Sequence, residues 1–119
     1  MTKIIFIGDK PSLKNTNPDV PFVGTVSYKT LLKWFKILNL NENNYTIYNS
    51  HNLTCIETIK NTYNINNKYI ALGNEASKRL DKLNIKHFKL PHPSGRNRLL
   101  NDKFKINEIL SKCIIYLQN

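Results

Sequence analysis

The stretch "KIIFIG", residues 3–8, is a short continuous run of apolar residues that ends at a glycine. A run that is apolar at every position is typical of a strand buried on both faces of a parallel sheet. The run is too short for a signal peptide and far below the roughly 18 apolar residues of a membrane-spanning helix. We therefore interpret residues 3–8 as the first strand of a parallel sheet.

Three further segments have strand character: residues 45–49, 68–72 and 85–90. Between and after them, apolar residues recur at helical spacing. The helix faces that this spacing predicts are Tyr28, Leu31, Leu32, Phe35 and Leu38; Ile56, Ile59 and Tyr63; Ala76, Leu80 and Leu83; and Ile106, Ile109, Leu110, Cys113 and Leu117. Thr54 and Glu57 match a capping box, and Asn74 is a candidate N-cap.

The order βαβαβαβα predicts an α/β fold, a three-layer α/β/α sandwich around a central four-stranded parallel sheet. A chain of 119 residues is the size of one domain, so we assign residues 1–119 to it. The two cysteines, Cys55 and Cys113, have no CxxC spacing and are expected to be reduced and packed inside helices. The expected location is the cytoplasm of a bacterial or virus-infected host cell.

The chain is strongly basic, with 18 Lys and Arg against eight Asp and Glu and a net charge of +10. AT-rich coding would inflate Lys throughout the chain, but the charge is concentrated. Residues 78–105 contain nine Lys and Arg against two Asp, a net +7. This cationic segment favours a surface that faces the phosphates of a nucleic acid.

The most irregular stretches follow predicted strands. "GDKPS", residues 8–12, comes after the first strand, and "PHPSGRN", residues 91–97, comes after the fourth. Asn49 and Gly73 end the other two. Because ligands bind at the carboxyl ends of parallel strands, these loops are expected to enclose a crevice.

Four segments carry a specific resemblance. "GDKPSLKNTNPDVPFVG", residues 8–24, resembles the GEAPG…PFVG motif of family 4 uracil-DNA glycosylases. "LLKWFKILNL" lies where that family has its first long helix, "YIALGNEASKRL" resembles its ALG strand with the following helix, and "HPSGRN" resembles its HPS-type loop. The chain thus looks like a compact member of the uracil-DNA glycosylase superfamily, possessing none of the four cysteines that bind the family 4 iron–sulfur cluster. We expect no cofactor and, since no His, Cys and Asp set has zinc spacing, no metal.

The resemblance implies a role for each matching residue. Asp9, which would place or activate water, and His92, which would donate to the departing base oxygen, form the catalytic pair. Phe22 would stack on the flipped base, Asn49 would hydrogen-bond its Watson–Crick edge, and Lys10 would lie in the base pocket. The implied DNA-binding residues are Ser12, Ser94, Gly95, Arg96, Asn97 and Arg98, of which Arg96 or Asn97 would fill the gap in the duplex.

Each of these residues also has an ordinary structural interpretation: Phe22 as a core aromatic, Asn49 as a turn former and His92 as a loop histidine. Lys10 stands where other families of the superfamily keep Asp or Asn, and "NT", residues 15–16, replaces their Glu-Asp pair. Three functions follow. The first is a monomeric glycosylase that excises uracil or a related pyrimidine from DNA without membrane association. The second is a non-hydrolysing offshoot that modifies or binds altered pyrimidines in viral DNA. The third, a Rossmann-like nucleotide-binding domain, would need a GxGxxG or GxxxxGK[ST] motif that the sequence does not contain.

Overall fold

The computed structural model describes residues 3–9, 26–93 and 101–118. Strands and helices alternate along these ranges as predicted. The elements are β1 (Ile4–Ile7), α1 (Val26–Ile37), β2 (Tyr45–Tyr48), α2 (Leu53–Asn61), β3 (Lys68–Leu72), α3 (Asn74–Lys82), β4 (Phe88–Leu90) and α4 (Lys103–Gln118).

The four strands form one parallel sheet in the order β2-β1-β3-β4. Ile4 of β1 lies opposite Tyr45 on one side and Lys68 on the other. At the far edge, Leu72 of β3 lies opposite Leu90 of β4. All four strands therefore end at the same edge of the sheet, as the sequence predicts.

The two faces of the sheet have separate hydrophobic cores. Phe6 and Ile70 belong to the face that α1 and α4 cover, where Leu31, Trp34, Phe35, Leu38, Ile106, Leu110 and Cys113 are buried. Ile5 and Ala71 belong to the opposite face, where Ile59 of α2, Ala76 and Leu80 of α3, and Ile85 are buried. Helices on both faces confirm the predicted α/β/α sandwich, and they explain why residues 4–7 of β1 and 69–72 of β3 are apolar without alternation.

Some sequence expectations about the helices are wrong in detail. The N-cap of α2 is Asn52, whose Oδ1 accepts from the backbone N–H of Cys55 at 2.8 Å, and Thr54 lies inside the helix. The N-cap of α3 is Gly73, and Asn74 is its first residue. Tyr63 lies beyond the end of α2 and is 44% exposed. A small polar residue two positions earlier can cap as well as the predicted one, because the cap needs only a short side-chain acceptor.

The buried stripe of α1 also differs from its prediction. Leu32 is 36% exposed, whereas Trp34, which the apolar pattern leaves out, is 4% exposed. At 100° per residue, Trp34 lies roughly 70° from the centre of the stripe of Leu31, Phe35 and Leu38, and Leu32 lies roughly 90° away. The tryptophan is therefore the one that faces the sheet.

Candidate active site

The crevice of this sheet lies between the carboxyl ends of β1 and β3. After β1 the chain crosses to β2 on one side of the sheet, and after β3 it crosses to β4 on the other. The segments that leave these two neighbouring strands diverge, and such a switch point is where open α/β sheets bind ligands. Gly8 and Asp9 follow β1, and Gly73 follows β3.

On one side of the crevice, Asp9 forms an ion pair with Arg79 of α3. Arg79 Nη1 also donates to Ser50 Oγ at 3.1 Å. The Ser50 hydroxyl in turn donates to the backbone oxygen of Gly8 at 2.6 Å, and the Ser50 N–H donates to the backbone oxygen of Asp9 at 3.0 Å. We call this arrangement of Asp9, Ser50 and Arg79 the carboxylate network; it joins β1, the end of β2 and α3.

On the other side of the crevice, His92 packs against Gly73. Gly73 has a φ of +93°, a conformation that only glycine adopts without strain. A Cβ atom at this position would lie 3.1 Å from the Cβ of His92, closer than ordinary van der Waals contact. The Gly73 N–H donates to the backbone oxygen of Leu90 at 2.8 Å. The close contact between the β3 and β4 ends therefore depends on the missing side chain at Gly73.

The two sides of the crevice interact electrostatically through His92. Burial lowers the pKa of His92, and the negative charge of Asp9 opposes that shift in part. The imidazole is therefore neutral at neutral pH and close enough to Asp9 to sense its charge. The next residue, Pro93, is fully buried.

Asn49 is a third polar group at this edge. Its side chain lies at the end of β2 and is 8% exposed. Within the described part of the chain, its Oδ1 atom is buried and has no hydrogen-bond partner. Because an unsatisfied buried carbonyl oxygen costs free energy, such atoms are uncommon in folded proteins and are candidates for ligand contact.

Two cavities flank the crevice. The larger, about 430 Å³, includes Gly73 and His92 and extends along β4 to α4. The smaller, about 380 Å³, includes Ser50 and Arg79 and extends between α2 and α3. Each cavity thus borders one side of the Asp9–His92 arrangement.

The structure places Asp9, Asn49 and His92, three of the predicted site residues, at the same edge of the sheet. The other eight lie outside the described residues: Lys10, Ser12, Phe22, Ser94, Gly95, Arg96, Asn97 and Arg98. Sequence reasoning missed Arg79 and Ser50. A signal for Arg79 was present, since at helical spacing it falls on the same face as the apolar Ala76 and Leu83.

Of the remaining imidazoles, His51 lines the cavity that includes Ser50 and Arg79, and His87 has other partners. His87 contacts Ser77 Oγ at 2.8 Å and the backbone oxygen of Ile85 at 2.8 Å. Cys55 in α2 and Cys113 in α4 are free thiols, and burial raises the pKa of Cys113 to about 12. Within residues 3–9, 26–93 and 101–118, no group of three His, Cys, Asp or Glu could hold a metal ion. In the same ranges, no helix has both the length and the apolar character to span a membrane.

Comparison with protein families gives one match that covers almost all of the chain. The model of the Uracil DNA glycosylase superfamily matches residues 1–117. Comparison with curated proteins gives no significant match. The family match includes both the crevice residues described above and the loops that contain the other predicted site residues.

Proposed function

Because the chain belongs to the uracil DNA glycosylase superfamily, we propose that it binds DNA and excises uracil or a related altered pyrimidine by hydrolysing the N-glycosidic bond. The observation that carries this proposal is the pairing of Asp9 and His92 across the crevice. The Asp9 carboxylate and the neutral His92 imidazole, whose lowered pKa the carboxylate charge raises in part, lie at the switch point of the sheet.

The reaction needs a hydrogen-bond donor on one side of the bond and a negative charge on the other. When the C1′–N bond breaks, its electron pair leaves with the base, and the sugar becomes an oxocarbenium-like cation that water then attacks. A donor aimed at the base oxygen stabilises the leaving anion, and a carboxylate near the sugar stabilises the cation.

His92 is the proposed donor to the base oxygen. Burial keeps its imidazole neutral, and a neutral imidazole still has one N–H to donate. Its contact with Gly73 restricts where the ring can lie. A donor held in place before the reaction needs no reorganisation when charge develops on the base.

Asp9 is the proposed partner of the sugar and of the attacking water. Its ion pair with Arg79 and the hydrogen bond from the Ser50 N–H to its backbone fix both its side chain and its main chain. A carboxylate held in this way can orient one water molecule and accept its proton as the bond to C1′ forms.

Asn49 is proposed to recognise the base. Its buried Oδ1 can accept a hydrogen bond from an N–H of the ligand, and its amide nitrogen can donate to a carbonyl oxygen. Uracil presents both groups side by side on its Watson–Crick edge. We place Phe22 in the same base pocket on the strength of the family resemblance, and Lys10 beside it because Lys10 directly follows Asp9.

The DNA strand is proposed to follow the cationic segment. We assign its phosphate and backbone contacts to the loops after β1 and β4, to Ser12, Ser94, Gly95, Arg96, Asn97 and Arg98. Lysines along that segment extend the positive surface, and Lys78, Lys82, Lys86 and Lys89 are all exposed. Cations of this kind release counterions from DNA and make binding dependent on salt.

A second candidate function is a non-hydrolysing offshoot that binds or modifies altered pyrimidines in DNA. It is favoured by Lys10, a primary amine directly after Asp9 where other families keep Asp or Asn. In such a protein the Lys10 amine would react with the base or recognise it. The base pocket would be kept, but the N-glycosidic bond would not be hydrolysed.

The test is an excision assay on labelled single- and double-stranded DNA that contains one uracil, followed by alkaline cleavage at abasic sites. If the protein is a glycosylase, alkali should cleave the treated DNA at the abasic site that excision leaves. Asp9→Asn should lower kcat by about 10²-fold or more, with little change in DNA affinity. Lys10→Ala should lower turnover little. Uncut uracil DNA, together with selective binding of altered-pyrimidine DNA that Lys10→Ala abolishes, would replace the first function with the second.

A further inference from the structure

Arg79 differs from the other cations of its helix in where its side chain lies. Lys78 pairs with Glu75 on the surface at 3.7 Å, with side chains that are 69% and 60% exposed. The Arg79 side chain is only 29% exposed and points to the crevice, where it meets Asp9. A surface cation that serves only to attract DNA has no need of this burial.

The helix that carries Arg79 is held firmly against the sheet. Ala76 and Leu80 of α3 are fully buried in the core of that side of the sheet, together with Ile7 of β1, and Arg79 lies at the edge of this buried face. The C-terminal end of α3 is fixed as well, because the Ile85 N–H donates to the backbone oxygen of Leu80 at 3.0 Å. Because α3 is packed against the sheet, the backbone from which the Arg79 side chain extends has a fixed position.

The guanidinium makes two contacts with different strands at once. Nη1 bonds to Asp9 Oδ1 beyond β1 and to Ser50 Oγ beyond β2. Ser50 is 1% exposed, and its hydroxyl proton goes to the Gly8 oxygen, so its oxygen must accept from Arg79. Both bonds leave the same nitrogen, whose two N–H groups have directions fixed by the guanidinium plane, whereas the three N–H groups of a lysine ammonium rotate freely.

We propose that Arg79 is a positioning residue that acts through Asp9. By occupying Oδ1, it sets the rotation of the carboxylate and assigns Oδ2 to the sugar and the attacking water. Ser50 holds the guanidinium from the far side. This inference rests on the proposed function, and it gives Arg79 a role in turnover instead of in DNA affinity.

The charged groups around Asp9 agree with this assignment. Arg79 approaches from α3, and His92, neutral at neutral pH, approaches from the end of β4. Among the described residues, Arg79 is therefore the cation that balances Asp9. Removing it leaves a partly buried carboxylate with one anchor fewer.

The kinetic test combines variants of both residues. Arg79→Gln should lower kcat by roughly 10- to 100-fold, the scale of a small misplacement of a reacting group, with KM and DNA Kd changed less than about threefold. In an Asp9→Asn background, the same change should cost nothing further, because the group it positions is gone. Arg79→Lys should restore part of the lost kcat. Lys33→Gln, which removes one exposed charge from α1, is the matched control and should behave as wild type.

Three outcomes would overturn the inference. A raised Kd with unchanged kcat would make Arg79 a phosphate contact. Losses that multiply in the double variant would show that it acts independently of Asp9. A lowered melting temperature with normal kcat would make its role structural.

A spectroscopic arm separates this inference from the proposed function. Rotation of the Arg79 guanidinium, followed through its Nη signals by ¹⁵N NMR, should be restricted in the wild-type protein and freed in Asp9→Asn and in Ser50→Ala. Equal rotation in all three proteins would overturn the inference even in an active enzyme. If the wild-type protein left every uracil substrate uncut, the proposed function would fall, and the NMR result would still decide whether Arg79 holds Asp9.

Discussion

The two sides of the crevice hold their functional groups by different physical means. Asp9 is fixed by charge and hydrogen bonds that come from α3 and from the end of β2. The position of His92 depends also on shape, because it fills the space that a side chain at position 73 would take. The Asp9 side depends on the polar atoms of Arg79 and Ser50, whereas the His92 side depends on the absence of a Cβ atom at Gly73.

The difference determines how each side can be damaged. The carboxylate network fails when a partner is removed, so its sensitive positions are polar and can be found by truncation. The position of His92 should be disturbed when a methyl group is added at Gly73. Glycine to alanine is a small change in volume, so the sensitivity of this position comes from its backbone conformation and its close neighbour.

His92→Ala should have the largest effect on turnover. Loss of one donor to a developing anion costs about 2.7–4 kcal/mol of transition-state stabilisation, a fall of roughly 10²- to 10³-fold in kcat. Single-turnover excision of uracil measures this loss. Lys33→Ala is the control, since Lys33 is an exposed residue of α1 outside both cavities, and it should stay close to wild type. Equal losses in the two variants would remove His92 from the chemistry.

Gly73→Ala should have the next largest effect, and it should appear in stability as well as in turnover. A non-glycine residue at φ +93° and ψ 175° costs about 1–3 kcal/mol, and the new Cβ also pushes on His92. Urea unfolding measures the change in the free energy of unfolding. Lys78→Ala, an exposed change in the same helix, should stay within about 0.5 kcal/mol of wild type. A Gly73→Ala protein of normal stability would mean that shape does not hold this side.

The smallest predicted effect is a dependence of stability on pH that belongs to His92. Its folded pKa lies below the unfolded value of 6.5, so between the two values the unfolded chain binds more protons. The histidine therefore contributes stability that is present above pH 6.5 and is lost as the pH falls towards the folded pKa. Urea unfolding of the wild type and of His92→Gln from pH 7.5 to 5.5 isolates this contribution.

The wild-type curve should fall more steeply with acid than the His92→Gln curve, by no more than about 1.4 kcal/mol per pH unit, the limit for one proton. Parallel curves would contradict the burial of a neutral imidazole at this position.

The fold could be predicted because each strand can be identified from a short run of neighbouring residues. Residues 4–7 and 69–72 are apolar without alternation, and parallel strands share a carboxyl edge whatever their order in the sheet. That rule alone brought Asp9, Asn49 and His92 together. The caps were mistaken at Asn52 and Gly73 because several neighbouring residues could supply a cap.

The carboxylate network could not be predicted in the same way. The partner of Asp9 is Arg79, 70 positions away along the chain, and their contact depends on how α3 is rotated against the sheet. Composition presents Arg79 as one more charge in a basic segment. The loops after β1 and β4 lie outside the described residues, and the roles assigned to Phe22, Lys10 and Arg96 stay predictions.

The parallel pairing of β1 and β3 also has a consequence for how this protein folds. A newly made chain that has reached residue 66 already contains β1, α1, β2 and α2, yet it has neither the central partner of β1 nor Arg79. Closing a loop of 70 residues costs roughly 4 kcal/mol of chain entropy before the contact between Asp9 and Arg79 contributes anything. Non-local pairing of this kind slows folding, and no local segment can form the crevice ahead of the rest. The site is thus completed in the same event that completes the sheet.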